Sequence, residues 1–392
     1  MRYQLRYVRT ILRSSRNHSR RPGGRANQVG RWGPLRIPTG GAHDDCPVTR
    51  SALAHFGGHW AHGLVEVTDD IGALDRGGRW AAALPYSGRP VLARFEHWTS
   101  DPPDAAVGNW SGPPVSAWRS STDETGYCAM VEAVRSAIEV GDVYQANVCR
   151  MLSAAVSGPD DDVAALWLLL AAGNPAPHGG FLRLPEQGVH IASASPELFL
   201  RLETRGTERL LTSGPIKGTG RTADDLTDKD VAENVMIVDL VRNDLARVCV
   251  PGSVAVPHLL QVQEHPGLVH LVSYVEGHAR PESTWVDVIE STFPPGSVTG
   301  APKRAALGII DRLESVPREY YCGALGWVDA DTGEAELAVA IRTFWLRDGV
   351  LRFGTGAGIT WGSDAAAEWR ETELKAARLT EVAAGSWQAG GS

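Results

Sequence analysis

The feature that most restricts the fold is a block near the C-terminus, where residues 321–328, 334–345 and 350–353 form three apolar runs joined by short connections. The first connection holds Asp329, Asp331 and Gly333. The second is Asp348-Gly349, a dipeptide suited to a hairpin because both positions tolerate positive φ. Strands joined this tightly run antiparallel, since a parallel pair needs a crossover of a dozen or more residues. The pattern predicts a three-strand meander. Further strands are expected at 90–95, 193–201 and 208–212. One helix is expected at 127–138, where Tyr127, Met130, Val131, Val134 and Ile138 recur at helical spacing before Gly141, and another at 227–248. A glycine-rich turn at 354–360 is predicted to lead into a helix over 364–383, with Ser363 as its N-cap. Strands and helices do not alternate regularly, so the expected class is α+β with antiparallel sheets rather than a doubly wound parallel sheet.

With 43% hydrophobic and 21% charged residues over 392 positions, the chain can bury a sizeable core. Its longest apolar run, 164–172, is much shorter than the roughly 20 residues a membrane helix needs, so no membrane span is expected. Cys46, Cys128, Cys149, Cys249 and Cys322 are scattered and show no metal-ligand spacing, which points away from disulfides and zinc and toward a reducing cytoplasm. Residues 1–36 carry ten arginines and no acid; setting those ten charges aside takes the formal net charge from −8 to −18. A body that acidic is a poor partner for nucleic acid. The basic stretch 1–36 reads as a disordered extension, and the same composition also fits an organelle transit peptide or a nucleic-acid-binding arm. Residues 37–120 hold no chemical motif, and the candidate chemistry lies in 121–392.

The stretch Gly354-Thr-Gly356-Ala-Gly358-Ile359 lacks the third glycine of a dinucleotide loop and follows a hairpin rather than a βαβ unit. NAD is therefore not expected. No GxxxxGK[ST], HExxH or GxSxG is present either. What the glycines offer is bare backbone N–H groups able to hold a small anion such as a carboxylate, or simply a tight turn. Two predicted helices carry acids three residues apart, Asp230 with Glu233 and Glu368 with Glu371, and Lys375 follows Glu371 by four. Each pair suits a solvated face with local ion pairs; four acids brought together would instead repel unless a divalent cation such as Mg²⁺ lay between them. Lys217, in Gly-Pro-Ile-Lys-Gly-Thr-Gly, is either a surface turn lysine or a desolvated nucleophile. Glu197, after Ser195-Pro196, is either an exposed acid or a general acid.

Taken in order, GDVYQAN (141–147), SASPELF (193–199), PIKGTGRT (215–222), AENVMIVDLVRNDLARV (232–248), VHLVSYVEG (269–277), FPPGSVTGAPKRAA (293–306), YCGALGW (321–327), AIRT (340–343), GAGI (356–359) and EWRETELKAARL (368–379) resemble the chorismate-utilising enzymes. The resemblance covers the chain from about Thr122 to its end. It implies two large facing antiparallel sheets with helices outside, and a cleft between them. It also implies Mg²⁺ held by Glu233 and Glu371, with Asp230 and Glu368 as outer acids. Arg342, Lys375, Tyr321 and the backbone of Gly356 and Gly358 resemble the group that grips the substrate carboxylates; His270, Thr299 and Thr219 resemble residues beside the ring, and Glu197 the acid that protonates the leaving C4 hydroxyl. Gln145 stands where water-adding members carry a lysine base, and Lys217 where C2-aminating members carry alanine. Lysine at that place resembles the nucleophile of members that aminate C4 through a covalent adduct. A C2-aminating enzyme and a non-catalytic chorismate-binding subunit are the rival readings; the combination of Glu197, Lys217, Glu233, Glu371 and Lys375 weighs against the second. No glutaminase motif is recognisable, so ammonia is expected from a glutamine amidotransferase subunit or from solution. Glu319 departs from the family pattern, which has glycine there.

Overall fold

The computed structural model describes residues 51–103, 107–156, 162–220, 222–265 and 268–385; the basic stretch 1–36 and Cys46 lie outside the described residues, as does the side chain of Thr219. Among the described residues, eighteen strands form one antiparallel network. In one limb, β12 (Ala255–His265), β13 (Leu268–His278), β10 (Glu208–Gly214), β9 (Leu198–Arg205), β16 (Glu334–Val339), β15 (Ala324–Asp329), β3 (Arg79–Leu84) and β4 (Val91–Thr99) lie side by side in that order. The network continues through β2 (His59–Thr68) and β1 (Leu53–Phe56) into β7 (Gly180–Leu184), β8 (Val189–Ser193), β17 (Thr343–Arg347), β18 (Val350–Ile359) and β6 (Gln145–Ala155). The short strands β5 (Arg119–Ser120) and β14 (Gly300–Ala301) add to β6, and β11 (Ile216–Gly220) adds to β13. The two limbs are the facing antiparallel sheets expected from the resemblance, and their apolar side chains meet in one core that includes Trp80, Leu182, Ile191, Leu200, Ile237, Leu337 and Trp345.

Helices close the outside. The first, α1 (Glu124–Glu139), ends at Val140, and Gly141 takes φ +82°, the left-handed position that spares a helix end a side-chain clash. Helix α2 (Val163–Gly173) covers β7 and β8, α3 (Asp228–Ala246) covers β13, α5 (Lys303–Leu313) covers β6, and α6 (Ala365–Ala383) covers β18, while α4 (Trp285–Thr292) packs on α3. Along α3, Asn234, Ile237, Val238, Val241 and Leu245 are buried at helical spacing, which is why this stretch docks as a helix despite its many charges. Among the described residues no helix is long and apolar enough to cross a membrane.

Four expectations need correction. The run 334–345 is two strands: β16 pairs with β15 in one limb and β17 with β18 in the other, so the expected meander is two hairpins. The break falls at Ala340–Arg342, where Arg342 adopts φ +51° and its C=O accepts the Ala194 N–H at 3.0 Å. Likewise 193–201 splits into β8 and β9, because Pro196 cannot donate to a ladder. The glycines at 354–358 form no turn but the outer half of β18. Helix α6 is capped by Asp364, whose side chain accepts from Ala367 N–H, while Ser363 Oγ accepts from Thr360 N–H in the preceding turn. Residues 53–99 contribute four strands, and β3, Arg-Trp-Ala-Ala-Ala-Leu, is buried nearly throughout between β4 and β15. A strand covered on both faces has no alternation to read.

Candidate active site

Lys217 projects from β11 toward the meeting point of several elements. Its Nζ donates to the Ser297 C=O at 3.3 Å, within the tight turn Gly296–Val298. Across the cleft lies Gly358 on β18: a Cβ built there would stand 3.3 Å from Lys217 Nζ and 2.1 Å from Gln145 Nε2. Three segments thus converge on one point, and only glycine fits the third. Gln145 has 0% exposure, yet both of its amide atoms lack a partner among the described residues. A buried amide with no hydrogen bond costs roughly 1–3 kcal/mol, and this one is free to take a polar partner at that point.

Glu197 follows Pro196 at the crossing between limbs and is buried. Burial pushes its carboxyl up to about 7, against the opposing pull of the Ser297 hydroxyl, the Lys217 charge, the Ile216 N–H and the Arg342 charge. A carboxyl poised there can hold a proton near neutrality and give it up. Ser297 was not a sequence candidate, and its hydroxyl touches the acid while its carbonyl holds the lysine. No residue-type signal distinguishes it within the motif FPPGSVTGAPK.

The glycines of β18 lie in a strand and not in a turn, and the ladder fixes which way their peptide groups face. Opposite Gly358, Asn147 gives its N–H to Thr299 O at 2.8 Å; opposite Gly356, Cys149 gives its N–H to Glu314 Oε1 at 3.0 Å. Opposed residues in an antiparallel ladder exchange both hydrogen bonds or neither, so Gly356 and Gly358 turn their peptide groups away from β6. Strand β17 pairs only as far as Phe353, which leaves that edge uncovered by strand. The Gly356 C=O there accepts Lys375 Nζ at 3.1 Å. Backbone N–H groups left unpaired by strand beside an ammonium are of the kind that can hold a carboxylate.

The acids stand at the cleft mouth on α3 and α6. Glu233 and Glu371 both feel the Lys217 charge; burial raises the Glu233 carboxyl, whereas for Glu371 burial is opposed by the Lys375 ammonium at 2.6 Å and by the Lys229 and Lys217 charges, which together hold it low. Glu368 is buried and accepts Lys229 Nζ at 2.9 Å. Asp230 is engaged in its own helix, where its Oδ2 accepts from the Thr227 N–H and hydroxyl, and the Thr227 side chain accepts from Asp230 N–H, closing a capping box at the start of α3. Glu233 Oε1 is buried without a hydrogen-bond partner. Carboxylate oxygens are hard donors that fit Mg²⁺ by type, and those of Glu233, Glu368 and Glu371 are ion-paired with Lys229 and Lys375. Among the described residues, however, no three acidic, histidine or cysteine side chains are already drawn into a metal cage.

The remaining candidates sit around this group. His270 is buried on β13 opposite Thr219 in the register. The Thr299 hydroxyl is used within its own turn, donating to Pro295 O and Gly296 O. The Tyr321 ring lies against Gly354, where a Cβ would meet it. Arg342 reaches toward Glu197, and each charge acts on the other. Arg318 and Glu314, unremarked in sequence, brace the floor: Arg318 donates to Val298 O at 2.9 Å, Asn147 O at 2.7 Å and both Glu314 oxygens. Glu319 holds φ +47° with its carboxylate on Trp345 Nε1 at 2.6 Å, an interaction glycine could not make.

A lysine, a buried acid, a strand edge left unpaired by its neighbours and acids on two helices thus lie close together where the two limbs meet. The chain belongs to the family of chorismate binding enzymes, whose model matches residues 93–381. It is 37% identical over 273 residues to anthranilate synthase component 1 of Saccharolobus solfataricus, covering 67% of this chain and 62% of that protein. It is 38% identical over 277 residues to aminodeoxychorismate synthase component 1 of Salmonella typhimurium, covering 68% and 59% respectively. The chain therefore spans about three fifths of the length of these curated relatives. Anthranilate synthase component I from Streptococcus pneumoniae TIGR4 superposes with a TM-score of 0.68 at 25% identity, covering 88% of this chain and 95% of that one.

Proposed function

We propose that this chain aminates chorismate at C4, giving 4-amino-4-deoxychorismate, with Lys217 as covalent nucleophile and Glu197 as general acid. The observation that carries the reading is the placement of Lys217 Nζ between Ser297 O, Gln145 and Gly358, with the raised Glu197 carboxyl alongside. Attack of the Lys217 amine on C2 moves the C1–C2 double bond to C1–C6 and the C5–C6 double bond to C4–C5, expelling the C4 hydroxyl, which takes the Glu197 proton and leaves as water. Ammonia then adds at C4, both double bonds return to their places, and the C2–N bond to Lys217 breaks; the surplus proton on the new C4 nitrogen goes back to Glu197. Two allylic displacements replace one difficult substitution. Lys375 and the Gly356 and Gly358 N–H groups orient a substrate carboxylate, and Gln145 supplies a neutral amide where a base would otherwise activate water. Glu233 and Glu371, with Glu368 behind them, would hold Mg²⁺, which when bound supplies positive charge for a second carboxylate. The naming of the Salmonella relative as a component 1 supports a partner, and a glutamine amidotransferase is the partner that would deliver ammonia.

Mass analysis of the product from chorismate, Mg²⁺ and ammonium tests the reading. The expected product is 4-amino-4-deoxychorismate with its enolpyruvyl group retained. Anthranilate and free pyruvate, the outcome favoured by the similarity to the Saccharolobus protein, would overturn it.

A further inference from the structure

The carboxylates assigned above to a divalent cation already surround a cation, and it belongs to the chain. Lys229 Nζ lies 2.9 Å from Glu368 Oε1 and 3.8 Å from Glu233 Oε1, and Glu371 is near enough for its charge to act on the same ammonium. Lys229 stands one turn before Glu233 on α3, while Glu368 and Glu371 are on α6, so this one side chain ties the two helices across the cleft mouth. The two members of the pair differ in freedom. The Lys229 side chain is 43% exposed and can swing into water, but Glu368 is 4% exposed and cannot follow. A buried carboxylate left without a cation is costly, so it accepts a replacement. Glu368 meets the ammonium at hydrogen-bond distance, and Glu233 stands farther off at 3.8 Å.

We propose that Lys229 is the resident counter-ion of the metal-free site and that a divalent cation enters by displacing its ammonium, the two competing for the same carboxylates. This rests on the reading of the acids as a Mg²⁺ site. In the metal-free state Lys229 keeps α3 and α6 docked although the acids would otherwise repel. It also lowers the affinity for metal that the carboxylates alone would show. Lys229 is therefore a residue that sets metal affinity without being a ligand.

The experiment is calorimetric titration of Mg²⁺, with Mn²⁺ as a second probe, into the full metal-free chain and its Lys229→Gln and Lys229→Arg variants, alongside thermal melts. Removing a partly buried competing ion pair is expected to tighten Mg²⁺ about tenfold in Lys229→Gln. The same variant melts lower without metal and gains more from it, while Lys229→Arg, still cationic, stays near wild type. Equal affinity in wild type and Lys229→Gln overturns the inference alone, weaker binding in Lys229→Gln shows support rather than competition and also overturns it, and tightening by both variants assigns the effect to bulk and does the same. If wild type and variants take up neither metal, the Mg²⁺ reading itself falls.

Discussion

Gly358 is the position at which a single methyl group is most informative. A Cβ there would lie 2.1 Å from Gln145 Nε2, 3.2 Å from Gln145 Cδ and 3.3 Å from Lys217 Nζ. Ordinary contact begins near 3.4 Å, so the Gln145 amide must retreat by about 1.3 Å and the lysine by only about 0.1 Å. Because that amide has no hydrogen bond to lose among the described residues, the retreat falls at the low end of the ~1–3 kcal/mol typical of overpacking. Misplacing a reacting geometry by about 1 Å costs on the order of 10²-fold in rate. Gly358→Ala is therefore expected to fold, to melt only a few degrees lower, and to lose about 100-fold in kcat/KM for chorismate. Gly356→Ala is the contrast: its Cβ would meet backbone, Val148 O at 2.5 Å and Cys149 Cα at 3.0 Å, neither of which can rotate aside. That variant should lose stability first. Paired thermal melts and product assays separate the two. A Gly358→Ala enzyme with wild-type kcat/KM, or one that melts as low as Gly356→Ala, would refute the convergence of Gly358, Gln145 and Lys217 as the catalytic point.

Incubation with chorismate and Mg²⁺ but no ammonia is expected to add the mass of chorismate less one water to the peptide holding Lys217; Lys217→Ala loses both the adduct and most C4 amination, and an adduct-free wild type with full activity would remove the covalent step. Glu197, raised to about 7 by burial, must be protonated to act, so turnover should fall as pH rises through that value. Its folded-state proton affinity exceeds the unfolded one, so its stabilising contribution is complete below about pH 4.5 and is lost as pH rises through 7; Glu197→Gln should flatten a slope of about 3 kcal/mol in unfolding free energy between pH 4 and 8. Ser297→Ala removes a hydroxyl that holds Glu197 down, and its alkaline limb should move to higher pH, whereas a purely structural loss would lower activity without moving the limb. Arg318→Met strands the Glu314 carboxylate, whose side chain is only 8% exposed, and should cost about 3–5 kcal/mol, with partial recovery in Arg318→Met/Glu314→Gln; an unchanged melt for the single variant would show that the brace carries no load.

Antiparallel architecture, the three main helices and the ordered motifs were legible because they are local: Asp348-Gly349 specifies a hairpin, Gly141 a helix end, and the spacing of Ile237, Val241 and Leu245 a buried helix face. Lys217, Glu197, Glu233 and Glu371 could be named as candidates from their motifs, but nothing in residue order brings four separated segments to one point. That convergence comes from the folding of two limbs over one core, and with it Glu197 acquires the burial that raises its proton affinity, Gln145 its unpartnered amide, and Gly358 its need to be glycine. The division of the acids is equally tertiary. Asp230 and Glu233 look alike in sequence, yet the first closes a capping box and the second faces the cleft. Lys229 shows the limit most clearly: at four residues before Glu233 it reads as an ordinary surface ion pair, and only the approach of α6 makes its ammonium the partner of Glu368, since Coulomb attraction depends on separation in space and not along the chain.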